Sequence, residues 1–174
     1  MAYLVLGLIL WTAAHLFKRV APGLRARMGT AGKGVVALGV LAGLALMIIG
    51  YRQAESVNVW FPPAWTVHVN NLMMLGAVFL YGMSATKGRL RGAMRHPQLT
   101  AVKVWAVAHL LVNGDLASLI LFGGLLGWAV LEVVVINMSE DWDRPQPGEA
   151  KKDIPAEVKA LLDEAATAVK AQIA

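Results

Sequence analysis

The chain has 174 residues, 57% of them hydrophobic and 16% charged, with a formal net charge of +5 and a mean hydropathy of +0.58. That apolar share exceeds the roughly half expected of a soluble domain and argues against a water-soluble globule. With no cysteine, disulfides, thiolate nucleophiles and iron–sulfur clusters are excluded.

No charge occurs in residues 1–17, 34–51, 56–86 or 104–114. About 20 apolar residues cross a bilayer core of roughly 30 Å, so these runs read as spans or near-spans. The first helix is predicted over 2–17; Lys18 and Arg19 suit its C-terminal end, and Pro22-Gly23 halts it. It has no basic residue ahead of it and no small-residue cleavage pattern behind, so it reads as an uncleaved anchor. A second helix is predicted over 34–51 and a third over 64–83, after the breaker Pro62-Pro63. The fourth opens at Pro97, tolerated in a first turn because its missing N–H would be unpaired there, and runs to Val112. Asn113-Gly114 forms a tight turn, and Asp115 N-caps a fifth helix over 116–137. Strands are ruled out because the runs are long and do not alternate. The fold class is therefore an all-α polytopic transmembrane bundle of about five helices.

Orientation follows from the loops. The stretch 18–33 holds five basic residues and no acid, and 84–98 holds Lys87, Arg89, Arg91 and Arg95 and no acid, whereas Arg52 and Glu55 balance between them. Both basic loops are expected on the cytoplasmic side of the membrane, which puts the N-terminus outside and the C-terminus inside. Up to Met138, 11 Lys or Arg against 3 acids give +8; beyond it, 5 against 8 give −3. The basic excess is thus a loop bias toward a lipid bilayer, and no nucleic acid partner is expected. Residues 1–138 form the transmembrane domain. Residues 139–174 form a Pro-rich charged linker and a cytoplasmic amphipathic tail helix in which Ile154, Val158, Leu161, Leu162, Ala165, Val169 and Ile173 share a face.

The chemistry-bearing residues are the histidines: His15, His68, His96 and His109 all lie in or at the ends of spans. Ionisable groups at bilayer depth are costly and mark function, although a neutral imidazole bonded across helices is as good an account of any one of them. Trp11 stands four residues before His15, Trp105 four before His109 and Trp65 three before His68, so each indole shares a helix face with an imidazole. Such pairs can wall a flat cofactor; interfacial location also accounts for Trp60 and Trp65. WTAAHLF and WAVAHLL match at four of seven positions, hinting at an inverted repeat. Lys103 can snorkel to the cytoplasmic face, and Glu132 can pair with it or with Lys18 or Arg19. Asn70 and Asn71 can bridge helices, and Met73-Met74 reads as filler.

The run RHPQLTAVKVWAVAHLLVNGDLASLILFG, with the histidine-ended first helix and the basic PGLRARMG loop, resembles the NnrU family of bacterial integral membrane proteins over residues 1–137. The resemblance implies a part in denitrification, in nitrite and nitric oxide reduction, with nitrite or nitric oxide reductase components as partners. The family is similar to the plant zeta-carotene isomerase, which implies haem b, with His15 and His109 matching the family's histidines. Depth bears on that pairing. At 1.5 Å per residue His15 and His109 lie roughly 15 Å apart across the core, whereas two nitrogens on one iron lie about 4 Å apart. Matched depths would instead pair His68 with His109 and His15 with His96. Three readings stand: a haem-binding accessory or redox protein, a membrane isomerase or redox enzyme on a lipophilic substrate, and a non-catalytic scaffold or assembly factor.

Overall fold

The computed structural model describes residues 1–86, 89–144 and Glu164. The tail helix expected beyond residue 153 lies, but for Glu164, outside them. Among the described residues the protein is all-α: α1 (Ala2–Val20), α2 (Pro22–Arg27), α3 (Ala31–Arg52), α4 (Thr66–Met83), a 3₁₀ turn (Arg89–Ala93), α5 (Pro97–Val112) and α6 (Leu116–Ser139). The five long helices are the five expected. Three of them, α1, α3 and α6, are long and apolar enough to cross a membrane, and α5 is a shorter apolar helix. Leu38 and Leu41 on α3 and Leu72, Leu75 and Phe79 on α4 are exposed, an apolar surface that belongs in lipid.

The helices stand in a row. α3 packs on α1, α1 on α6, α6 on α5 and α5 on α4, so α3 and α4 occupy the two ends. The α1–α3 contact is made by glycine. A Cβ on Gly7 would lie 2.7 Å from the Gly43 carbonyl oxygen, and one on Gly43 would lie 2.9 Å from the Trp11 nitrogen. Missing side chains let the two backbones touch, the usual means of helix association in lipid, where no hydrophobic drive exists between apolar faces.

Both ends of the bundle are tied. At one, the Val59 and Trp60 N–H groups donate to the Gly114 carbonyl (2.8 and 3.1 Å) and the Leu116 N–H to the Val57 carbonyl (2.8 Å), pinning the α3–α4 loop to the α5–α6 turn. Asp115 caps α6 by accepting from the Ser118 N–H (2.9 Å) and hydroxyl (2.6 Å). Burial alone would raise the Asp115 pKa; the hydrogen bonds from Ser118 and neighbouring backbone outweigh it and hold the carboxyl below its usual range.

At the other end Arg19 donates to Glu132 (2.7 Å) and Glu140 (3.2 Å), Arg95 donates to the Glu140 carbonyl, and Arg144 donates to the Gly92 carbonyl (2.7 Å). The two basic segments therefore meet at one end of the molecule. α1 runs three residues past its expected end and carries Arg19 to both carboxylates. Pro22 both stops α1 and sits in the first turn of α2.

Candidate functional site

All five long helices contribute to one cavity of about 670 Å³, so the row curves around it. That volume lies in the range of pockets that take a cofactor-sized molecule. Trp11 and His15 come from α1, Trp105 from α5, and Trp128 and Glu132 from α6; Leu44 of α3 and Tyr81 of α4, both exposed, stand at its borders. Most of the remaining lining is aliphatic. The cavity thus joins an apolar chamber to a few polar groups and lies between the two ends of the helix row.

The two Trp-x-x-x-His segments have the same local structure. The His15 Nδ1–H donates to the Trp11 carbonyl (2.9 Å), and the His109 Nδ1–H donates to the Trp105 carbonyl (2.9 Å). A carbonyl can only accept, so the proton belongs on Nδ1, and the Nε2 lone pair of each neutral ring is left available. A backbone acceptor on the far nitrogen is also how proteins orient and strengthen a metal-ligating imidazole. Each ring is then flanked by aromatics. His15 lies 4.4 Å from Trp11 and 4.8 Å from Trp128, and His109 lies 4.8 Å from Trp105 and 4.5 Å from Phe122, all between ring centroids.

The six candidate residues divide. His15, Trp11 and Trp105 line the cavity; His109 is not among its lining residues and lies against Trp105 with the rings tilted at 48°. His68 is exposed in the first turn of α4, and Trp65, 63% exposed, makes no ring contact with it. His96 shares its Nε2 with the Asn137 carboxamide oxygen (2.8 Å) and lines a separate small cavity with Arg91 and Arg95. Lys103 forms no ion pair among the described residues; Arg19 is the partner of Glu132. Asn70 and Asn71 bond to each other (3.2 Å) rather than across helices.

Trp128 is a wall residue that the sequence reading passed over. It stands four residues before Glu132 on an otherwise apolar helix, so an indole and a carboxylate on one face were the signal available. Trp128 and Glu132 are 8% and 6% exposed. Three buried polar atoms of lining residues have no protein partner: the indole N–H groups of Trp11 and Trp128 and Oε2 of Glu132. Buried orphan groups cost about 1–3 kcal/mol each, so a cluster of them in one chamber favours a ligand with polar substituents.

The donor set decides which ligands fit. Among the described residues no three His, Asp or Glu side chains gather to hold a bare metal ion. A haem needs far less from the protein, one or two axial bonds and an apolar slot, and His15 with its aromatic walls meets that need.

The family profile described as NnrU protein matches residues 3–172. The resemblance seen in the sequence ended at residue 137; the match runs on through the tail, whose charged, Pro-rich composition lacks the apolar pattern on which that resemblance rested. No curated protein and no solved structure matches the chain.

Proposed function

The chain belongs to the NnrU family, and from that premise we propose that it is a haem b protein of the bacterial inner membrane serving nitrite and nitric oxide reduction. The observation that carries the reading is the cavity-lining His15, whose Nδ1 proton is fixed on the Trp11 carbonyl and whose Nε2 is left free to bind. A haem bound there would supply one-electron chemistry tuned by its axial ligand and its burial. The protein's own residues would do the rest. Trp11, Trp105 and Trp128 give flat apolar walls, and the Arg19–Glu132 pair fixes a positive and a negative charge at the chamber's end. The meeting of both basic segments at that end supports a cytoplasmic C-terminus and a periplasmic N-terminus. Nitrite or nitric oxide reductase components are the partners this reading implies.

A second reading, an enzyme acting on a lipophilic substrate, draws support from the aliphatic share of the lining, Leu44, Leu99, Val102, Leu125 and Ile136. One spectrum tests the first reading. Protein purified in mild detergent from haem-replete cells is expected to show a Soret band; a colourless preparation that takes up no added hemin contradicts the haem reading and leaves the substrate reading.

A further inference from the structure

An apolar groove runs between α4 and α5, and the small cavity that holds Arg91, Arg95 and His96 lies at its end. We infer that the two form one site for an anionic phospholipid, with an acyl chain along the groove and the phosphate between Arg91 and Arg95.

The groove, about 230 Å³ in volume, is walled by aliphatic and aromatic side chains and Met74. Ala77 and Ala101 are buried at its floor, while Val78 and Tyr81, 66% and 60% exposed, stand at its rim. From Met74 to Tyr81 it follows α4 for about 10 Å of rise, most of the roughly 15 Å of hydrocarbon in one leaflet. Tyr81, Val102 and Trp105 also border the large chamber, but Ala77, Val78 and Ala101 do not.

The cavity, about 210 Å³, begins one turn further on. Ser84 stands three residues past Tyr81 on the α4 side, and Pro97 and Gln98 stand four and three residues before Ala101 on the α5 side. That offset is about 5 Å along both helices. Neither Arg91 nor Arg95 forms an ion pair among the described residues, because the Glu132 and Glu140 carboxylates are held by Arg19. Asp141 and Asp143 are exposed and do not line the cavity. Arg91 donates to the Met94 carbonyl (3.0 Å) and Arg95 to the Glu140 carbonyl, which fixes each guanidinium and leaves its other N–H groups to bind. Such forks match the oxygens of a phosphate. The first-turn N–H groups of Gln98 and Leu99, without an acceptor among the described residues, add a smaller attraction.

A free phosphate would use the arginines and not the groove, and a lipid without net charge would use the groove and gain little from the arginines. An anionic phospholipid uses both, and basic pockets between helices at headgroup level are where such lipids dock.

Full-length protein in mild detergent, stripped of lipid, provides the test. It is titrated with phosphatidylglycerol, with phosphatidylcholine of the same chains, or with inorganic phosphate, and followed by melting temperature and, for the lipids, native mass spectrometry. Phosphatidylglycerol is expected to bind at about one molecule per chain and to raise the melting temperature, and the other two to do neither. Arg91→Gln and Arg95→Gln should each weaken phosphatidylglycerol binding about fivefold. Arg27→Gln, the same loss of charge at an exposed position on α2, should leave it unchanged. Equal weakening by Arg27→Gln would overturn the site in favour of general attraction to a basic surface. Equal binding of phosphatidylcholine would remove the role of the arginines, and equal stabilisation by inorganic phosphate that of the groove; either overturns the inference. The comparison of lipids on the wild type decides the matter even where a variant fails to fold.

Discussion

Glu132 enters the apolar run of α6 with one oxygen on Arg19 and the other without a protein partner. Removing one member of a buried ion pair costs about 3–5 kcal/mol, chiefly because the other is left as an uncompensated charge. The two members are not equivalent here. Arg19 keeps Glu140 as a second partner, whereas Glu132, at 6% exposure, has Arg19 alone. Arg19→Ala should therefore destabilise the protein by about 3 kcal/mol, and Glu132→Gln by clearly less. Thermal unfolding of both variants in one detergent checks the order, and a larger loss from Glu132→Gln would refute the assignment. His15 and His109 carry the other residue-scale lesson. Their Nδ1 bonds to the carbonyl four residues back follow from their place inside a helix, while the four-residue spacing sets each indole beside its imidazole. Which ring lines a cavity depends on α6, which no local spacing reports.

Among the elements, α1 and α3 are joined by absent side chains. A Cβ on Gly43 would meet the Trp11 nitrogen at 2.9 Å and the Gly7 oxygen at 3.1 Å, both backbone atoms that cannot swing aside, whereas one on Gly76 would meet nothing within 4 Å. Gly43→Ala should cost about 1–3 kcal/mol by forcing the helices apart. Gly76→Ala should be neutral or slightly stabilising, since it lowers unfolded-chain entropy inside a helix. Melting temperatures of the pair test this, and an equal effect at both sites would show that the close approach does not matter. Helix ends were the most legible part of the sequence. Pro97 and the Asp115 cap act through local backbone chemistry and do in the structure what their residue types dictate; the expected Asn113-Gly114 tight turn is instead an extended connection, with Asn113 at φ −120° and ψ 114°, and Gly114 serves there by letting the Trp60 carbonyl come close. Helix neighbours were not legible. α6 is apolar nearly all round, so no periodicity tells which face Trp128 or Phe122 presents. The glycines that select α3 as the partner of α1 become meaningful only when the two backbones are brought together.

The whole molecule is a curved row, α3–α1–α6–α5–α4, closed at one end by hydrogen bonds around Gly114 and at the other by Arg19, Glu132 and Glu140. Those ties hold the row's two ends around the cavity without requiring α3 and α4 to pack on each other. An apolar chamber with one free imidazole follows from that architecture, and the proposed function depends on the chamber. Haem content per chain, measured by the pyridine haemochrome assay on wild type, His15→Ala and His109→Ala, tests the claim most directly. The account predicts about one haem per chain in wild type and in His109→Ala, and close to none in His15→Ala. Full haem content in His15→Ala, or its loss from His109→Ala alone, would contradict it.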